Sequence, residues 1–143
     1  SALNNLMQIV PVREFHDIFI ANPEAFPLND HPVTLEELQQ YPILMLEKRS
    51  MTSIFLHNLF LEHSLDLVPA IELSSNDLLI DLARIGLGIA FIPDFCIKDT
   101  TNLSVINLTE EIPSRMLVAA YNSDIPISDA AKYFIDSLVE TDM

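Results

Sequence analysis

The stretch IELSSNDLLIDLARIGLGIAFIPDF, residues 71–95, decides the fold. It contains both glycines of the chain, Gly86 and Gly88. Ala70 to Ser74 reads as a short strand that runs into Ser75 and Asn76, residue types that cap helix N-termini well. Asp77 follows Ser74 at the spacing of a loose capping box. Leu78, Leu79, Leu82, Ala83 and Ile85 then recur at helical spacing. Gly86 stands where a helix that ends in a left-handed residue needs one. Leu87 to Ile92 is almost wholly apolar, as a strand buried on both faces should be, and Pro93 ends it. The stretch is a βαβ unit whose polar helix start offers a place for a small ligand.

Working outward, residues 8–22 predict a strand that bends near Arg13 to His16. A loop with Pro23, Pro27 and Pro32 follows. Thr34 and Glu37 form a capping box over a short helix, Leu35 to Gln40, stopped by Pro42. Ile43 to Leu46 is a short buried strand. The polar turn Glu47 to Ser50 leads into a helix from Met51 to His63 that is apolar nearly all round. Such a helix is buried on more than one side, within its own domain or against a partner. Beyond the central unit, Asp94 to Lys98 predicts a short helix, Leu103 to Leu108 a strand and Met116 to Tyr121 another strand. Ser128 caps a last helix with a stripe of Ala131, Phe134, Ile135, Leu138 and Val139. Alternation of β and α elements predicts an α/β sheet with right-handed crossovers. In such sheets ligands gather beyond the carboxyl ends of the strands, at helix starts.

Composition narrows the function. The 143 residues are 50% hydrophobic, enough for a core. Seven Lys and Arg face 21 Asp and Glu, a net charge of −14. That balance argues against this piece gripping a nucleic-acid backbone, which needs clustered cations. No apolar run approaches the length of a spanning helix, and no basic start followed by an apolar run marks an export signal. The single Cys96 excludes an intrachain disulfide and fits a reducing compartment. His16, His31, His57 and His63 are scattered, and His57 and His63 miss the i, i+4 spacing of zinc sites, so no metal is expected. Asp77, Asp81 and Arg84 share a helix side and read as a solvated face with a weak ion pair. Cys96 reads as inert. The chain has no G-x-S-x-G, no P-loop and no G-x-G-x-x-G, so no cofactor and no catalysis are expected.

The ordered set of segments resembles the effector-binding domain of LysR-type transcriptional regulators. SSNDLLIDLARIGLGIAFIP is similar to that family's strand–turn–helix followed by its (A/R)-x-G-x-G-(I/V)-x-x-(L/I)-P run. HDIFIANPEAFPL, VTLEELQQYPILML and the closing AAKYFIDSLVE also match in order, so the resemblance covers residues 11–140. It implies a fold like a type 2 periplasmic binding protein, with one complete α/β lobe and part of the other. Residues 13–114 would be the second lobe with crossover strands. Residues 1–12 and 115–143 would be a remnant of the first. DNA would be reached only through a domain outside this chain.

The resemblance implies a ligand-sensing role in the cytoplasm: a small molecule, an organic acid or other anion, shifts the conformation of a dimer or tetramer. Ser74 falls where relatives place an effector-touching Ser or Thr, Asn22 matches a second contact position, and Ser75, Asn76, Ser50 and Thr52 complete the expected set. Met51, Phe55, Leu59 and Phe60 are the expected oligomer contacts. The rival reading is a solute-binding receptor or an enzyme of the same architecture, which an export signal upstream would favour.

Overall fold

The structure, a computed structural model, describes residues 7–122 and Ser128. The expected C-terminal helix lies outside the described residues. The chain divides into two compact units, residues 16–113 and residues 1–15 with 114–143.

The larger unit is a five-stranded sheet with helices on both faces. Its strands are β2 (Asp17–Ala21), β3 (Ile43–Leu46), β4 (Ile71–Leu73), β5 (Ile89–Pro93) and β6 (Ser104–Ile106), in the spatial order β4-β3-β5-β2-β6. Strand β3 runs parallel to β4 and to β5. Strand β2 runs antiparallel to β5 and β6. The sheet is therefore mixed, with β2 reversed against the parallel trio.

Alternation along the strands sorts the core into two layers. Phe19, Ala21, Ile43, Met45, Ile89, Phe91 and Ile106 point to one face. There they meet Leu35 and Leu38 of α1 (Leu35–Leu38) and Leu56, Leu59 and Phe60 of α2 (Met51–Glu62). Phe19 and Phe91 are register partners whose ring centroids lie 4.8 Å apart. Ile20, Leu44, Ala90 and Ile92 point to the other face and pack on Leu79, Ile80 and Ala83 of α3 (Asn76–Arg84). All of β5 is buried, as its unbroken apolar run requires.

The helix ends are built by local chemistry. Ser50 caps α2 by accepting from Ser53 N–H at 3.0 Å. Thr34 caps α1 by accepting from Glu37 N–H at 3.0 Å. Ser75 caps α3 by accepting from Leu78 N–H at 3.3 Å, so the expected Ser74/Asp77 pairing does not form. At the far end of α3, Gly86 has φ +87°. Gly86 N–H bonds Ala83 O and Leu87 N–H bonds Leu82 O, both at 3.0 Å, which is the Schellman arrangement. Because Leu87 closes the helix, β5 begins only at Ile89, two residues later than the apolar run suggests.

Other boundaries also moved. The expected strand over 8–22 is two strands broken at His16. The expected helix after Pro93 is a single 3-10 turn, Asp94–Cys96. In the smaller unit, β1 (Met7–Phe15) pairs antiparallel with β7 (Arg115–Asn122). The register slips between Pro11 and Arg13, leaving Val12 as an extra residue. Pro11 carries no N–H, which suits an irregular point in a ladder. The Arg115 guanidinium lies over the Phe15 ring, 4.8 Å from its centroid.

Candidate ligand site

Three parallel strands, β4, β3 and β5, end on the same edge of the larger sheet. Leu46 and Leu73 are register partners there, and Glu47 N–H extends the ladder to Leu73 O at 2.9 Å. Helix α2 begins just beyond β3 and α3 just beyond β4. Both therefore present their N-termini at this carboxyl edge, one on each face of the sheet. Helix N-termini carry partial positive charge and unsatisfied N–H groups.

The residues gathered here follow from that topology. Ser50 is half-buried at the α2 cap, and Thr52 is buried within the first turn. Lys48 and Arg49 stand exposed in the preceding turn. Ser74 is exposed, and Ser75 and Asn76 are half-buried at the start of α3. Beyond β5, Asp94 is tied to His16 by reciprocal bonds. Asp94 N–H donates to His16 O at 2.8 Å, and His16 N–H reaches Asp94 Oδ2 at 3.4 Å. Asp17, the register partner of Pro93, is 2% exposed.

Asn22 is not among them. Strand β2 runs opposite to the parallel trio, so its last residue, Ala21, lies at the amino edge. There Asn22 Nδ2 donates to Arg84 O, a terminal carbonyl of α3, at 2.8 Å. Asn22 Oδ1 accepts from Glu24 N–H at 2.9 Å. Both ends of the side chain hold local structure.

The expected oligomer residues also separate. Leu59 is 4% exposed, Phe60 is fully buried, and both belong to the core. Phe55 is half-buried against that core. Only Met51 of the four is largely exposed, at 72%, with Ile54 and Leu61 on the same outer side of α2. An all-round apolar helix does not reveal which stripe faces the sheet, so the sequence could not divide them.

Two further residues join this edge. Ser53 is fully buried in the first turn of α2. Among the described residues, Ser53 Oγ, Asn76 Oδ1 and Asp94 Oδ1 are buried atoms with no hydrogen-bond partner. His57 Nε2 shares that state further along α2. The signal for Ser53 was its place three residues after a capping serine; for Asp94, its place directly after the strand-ending proline.

On the outer side of α3, Asp77, Ile80, Asp81 and Arg84 line a surface groove of ≈ 320 Å³ with Cys96, Lys98 and Asp99. Arg84 does not pair with the aspartates of its own helix, as its spacing suggested. Its guanidinium donates to Thr101 O and, at 3.0 Å, to Asp99 O. It thus fastens the 99–102 turn to α3. Burial pushes the half-buried Cys96 thiol up, and the nearby Asp77, Asp17 and Asp94 carboxylates push it further.

Comparison with known proteins places this arrangement. The profile of the LysR substrate binding domain matches residues 5–142. The regulatory domain of CcmR from Synechocystis PCC6803, solved with 2-PG, superposes with a TM-score of 0.78 at 22% identity, over 95% of this chain and 67% of that one. The effector-binding domain of QuiR, solved with shikimate, gives 0.76 at 17%, over 99% and 68%. HinK, a LysR family transcriptional regulator from Pseudomonas aeruginosa, gives 0.77 at 16%, over 99% and 51%. The chain thus spans about two thirds of the length of two of these structures and half of the third. At these identities the superpositions establish the periplasmic-binding-protein-like fold, and the profile match over nearly the whole chain establishes the family. The chain belongs to the LysR substrate-binding domain family, the effector-binding region of LysR-type transcriptional regulators.

Proposed function

We propose that the carboxyl edge of the larger sheet is the effector site of a cytoplasmic, oligomeric LysR-type regulator. One observation carries the reading. Two serine-capped helices, α2 and α3, start at the ends of neighbouring parallel strands, one on each face of the sheet. Anions suit such starts, because oriented N–H groups and the helix dipole act together. Ser50, Thr52, Ser74, Ser75 and Asn76 supply the hydroxyl and amide groups, and Lys48 and Arg49 supply positive charge. The ligand class is a small organic acid or other anion.

In this reading the larger unit is the second lobe of the effector domain, and the β1/β7 pair belongs to the first lobe and its crossover. The ligand acts by population shift: it binds one arrangement of the oligomer better and so favours it. Met51, Ile54 and Leu61 on the outer stripe of α2 form the contact with another copy. DNA is reached through a separate domain, consistent with the −14 charge of this chain.

Ser74→Ala in the full-length protein should shift the effector dose–response to about tenfold higher ligand, the cost of a lost hydrogen bond to a charged group. DNA binding without ligand should stay as it was. An unchanged dose–response curve would remove Ser74 from the site.

A further inference from the structure

The carboxyl edge has two electrical poles, and they point to a ligand of a particular kind. At the β3–α2 junction, Glu47, Lys48 and Arg49 sum to one positive charge, and the first turn of α2 contains no acid. Helix α2 has 12 residues, long enough for a developed N-terminal dipole. Ser53, fully buried in that turn, has an Oγ with no partner. A hydroxyl placed so is ready to donate to an anionic oxygen.

The β5–α3 side is the reverse. Asp94 follows β5, Asp17 is the register partner of the preceding Pro93, and Asp77 lies in the first turn of α3. Burial raises the Cys96 pKa most, and all three carboxylates stand close enough to raise it further, so they form one local negative field. Two buried oxygens here, Asp94 Oδ1 and Asn76 Oδ1, have no donor. An unmet buried acceptor is costly, and an unmet carboxylate oxygen the more so. A plain anion makes that cost worse. A ligand that brings N–H donors and positive charge removes it.

We propose that the effector is a small zwitterion, an acid that also bears an ammonium group, as α-amino acids do. Its carboxylate lies at the start of α2, against Ser50 and Ser53. Its ammonium lies at Asp94 Oδ1 and Asn76 Oδ1. The proposal rests on the carboxyl edge being the effector site and adds the chemical class that the edge selects.

The test is calorimetric titration of the full-length protein with a panel of α-amino acids, each paired with the matched acid lacking the amino group. At least one amino acid should bind, and its amine-free partner should bind about tenfold more weakly or worse, the worth of a charge-assisted hydrogen bond. Asp94→Asn should abolish that preference, and Ser53→Ala should weaken both members of the pair. If Asp94→Asn fails to fold, as its melting curve would show, Asn76→Ala serves the same purpose. Amine-free acids that bind as tightly as amino acids, with Ser53→Ala still weakening them, would overturn the zwitterion and leave the edge as the site. Binding of neither class would overturn both.

Discussion

Gly86 and Gly88 lie two positions apart and do different work. Gly86 takes φ +87°, and a Cβ there would meet Ala25 Cβ at 3.0 Å. Left-handed backbone costs an L-residue about 1–2 kcal/mol, so Gly86→Ala should destabilise the protein by about that much in urea unfolding. Gly88 faces a harder limit. A Cβ there would lie 2.7 Å from Pro42 O and 2.8 Å from Leu44 Cγ, and that carbonyl, which accepts from Ile89 N–H at 2.8 Å, cannot step aside. Gly88→Ala should therefore cost more than Gly86→Ala, toward the upper end of the about 1–3 kcal/mol typical of overpacking. Equal effects would mean that β3 yields. Cys96 makes a second prediction at this scale. Its raised pKa leaves little thiolate near neutrality, so it should alkylate more slowly than an exposed cysteine, with a rate midpoint above that of the exposed residue. A midpoint below that value would contradict the burial and charge assigned to it.

Helix α1 shows how an element too short to stand alone is held. Four residues have no helical stability of their own. Leu35 and Leu38 are fully buried, Thr34 caps one N–H, and the Glu110 carboxylate accepts from Leu35 N–H at 2.9 Å. Burial alone would raise the pKa of Glu110. Hydrogen bonds from Thr109 and Leu35 outweigh it, and the carboxyl sits below the usual glutamate range. A pKa lowered by folding stabilises the protein above the unfolded value, about 4.3, and that gain is lost as pH falls through the folded value. Glu110→Gln should thus be less stable than the parent at pH 7, with the gap closing on acidification below about pH 4. A gap independent of pH would mean that shape, not charge, holds Leu35 N–H.

At this same scale the sequence was most legible. Ser75 and Gly86 announce the ends of α3 through chemistry that is complete within a few residues. Where an element lands is another matter. Asn22 follows a strand legible in the sequence, yet it lies at the amino edge, away from the proposed site, because β2 runs against its neighbours. That direction is set by pairing with β5, about 70 positions later in the chain, and no local pattern encodes it. The same holds for α2. Its apolar residues surround the helix, so only the sheet against which it packs divides Leu59 and Phe60 from Met51 and Leu61.

For the molecule as a whole, that division makes the oligomer claim testable. Met51 and Leu61 are 72% and 64% exposed, so charging them should not disturb the core. Met51→Glu with Leu61→Glu should lower the mass of the full-length protein in light scattering while its melting temperature holds. An unchanged mass would move the contact elsewhere. Phe60→Glu would be uninformative, since it buries a charge.

The central claim is that ligand binds at the carboxyl edge of the larger sheet and not at its amino edge. Hydrogen exchange of the full-length protein, with and without a bound small acid, tests it most directly. Protection should rise over residues 47–54 and 73–78, where α2 and α3 begin, and stay constant over 22–26 and 85–88. Protection confined to 22–26 and 85–88 would contradict the account.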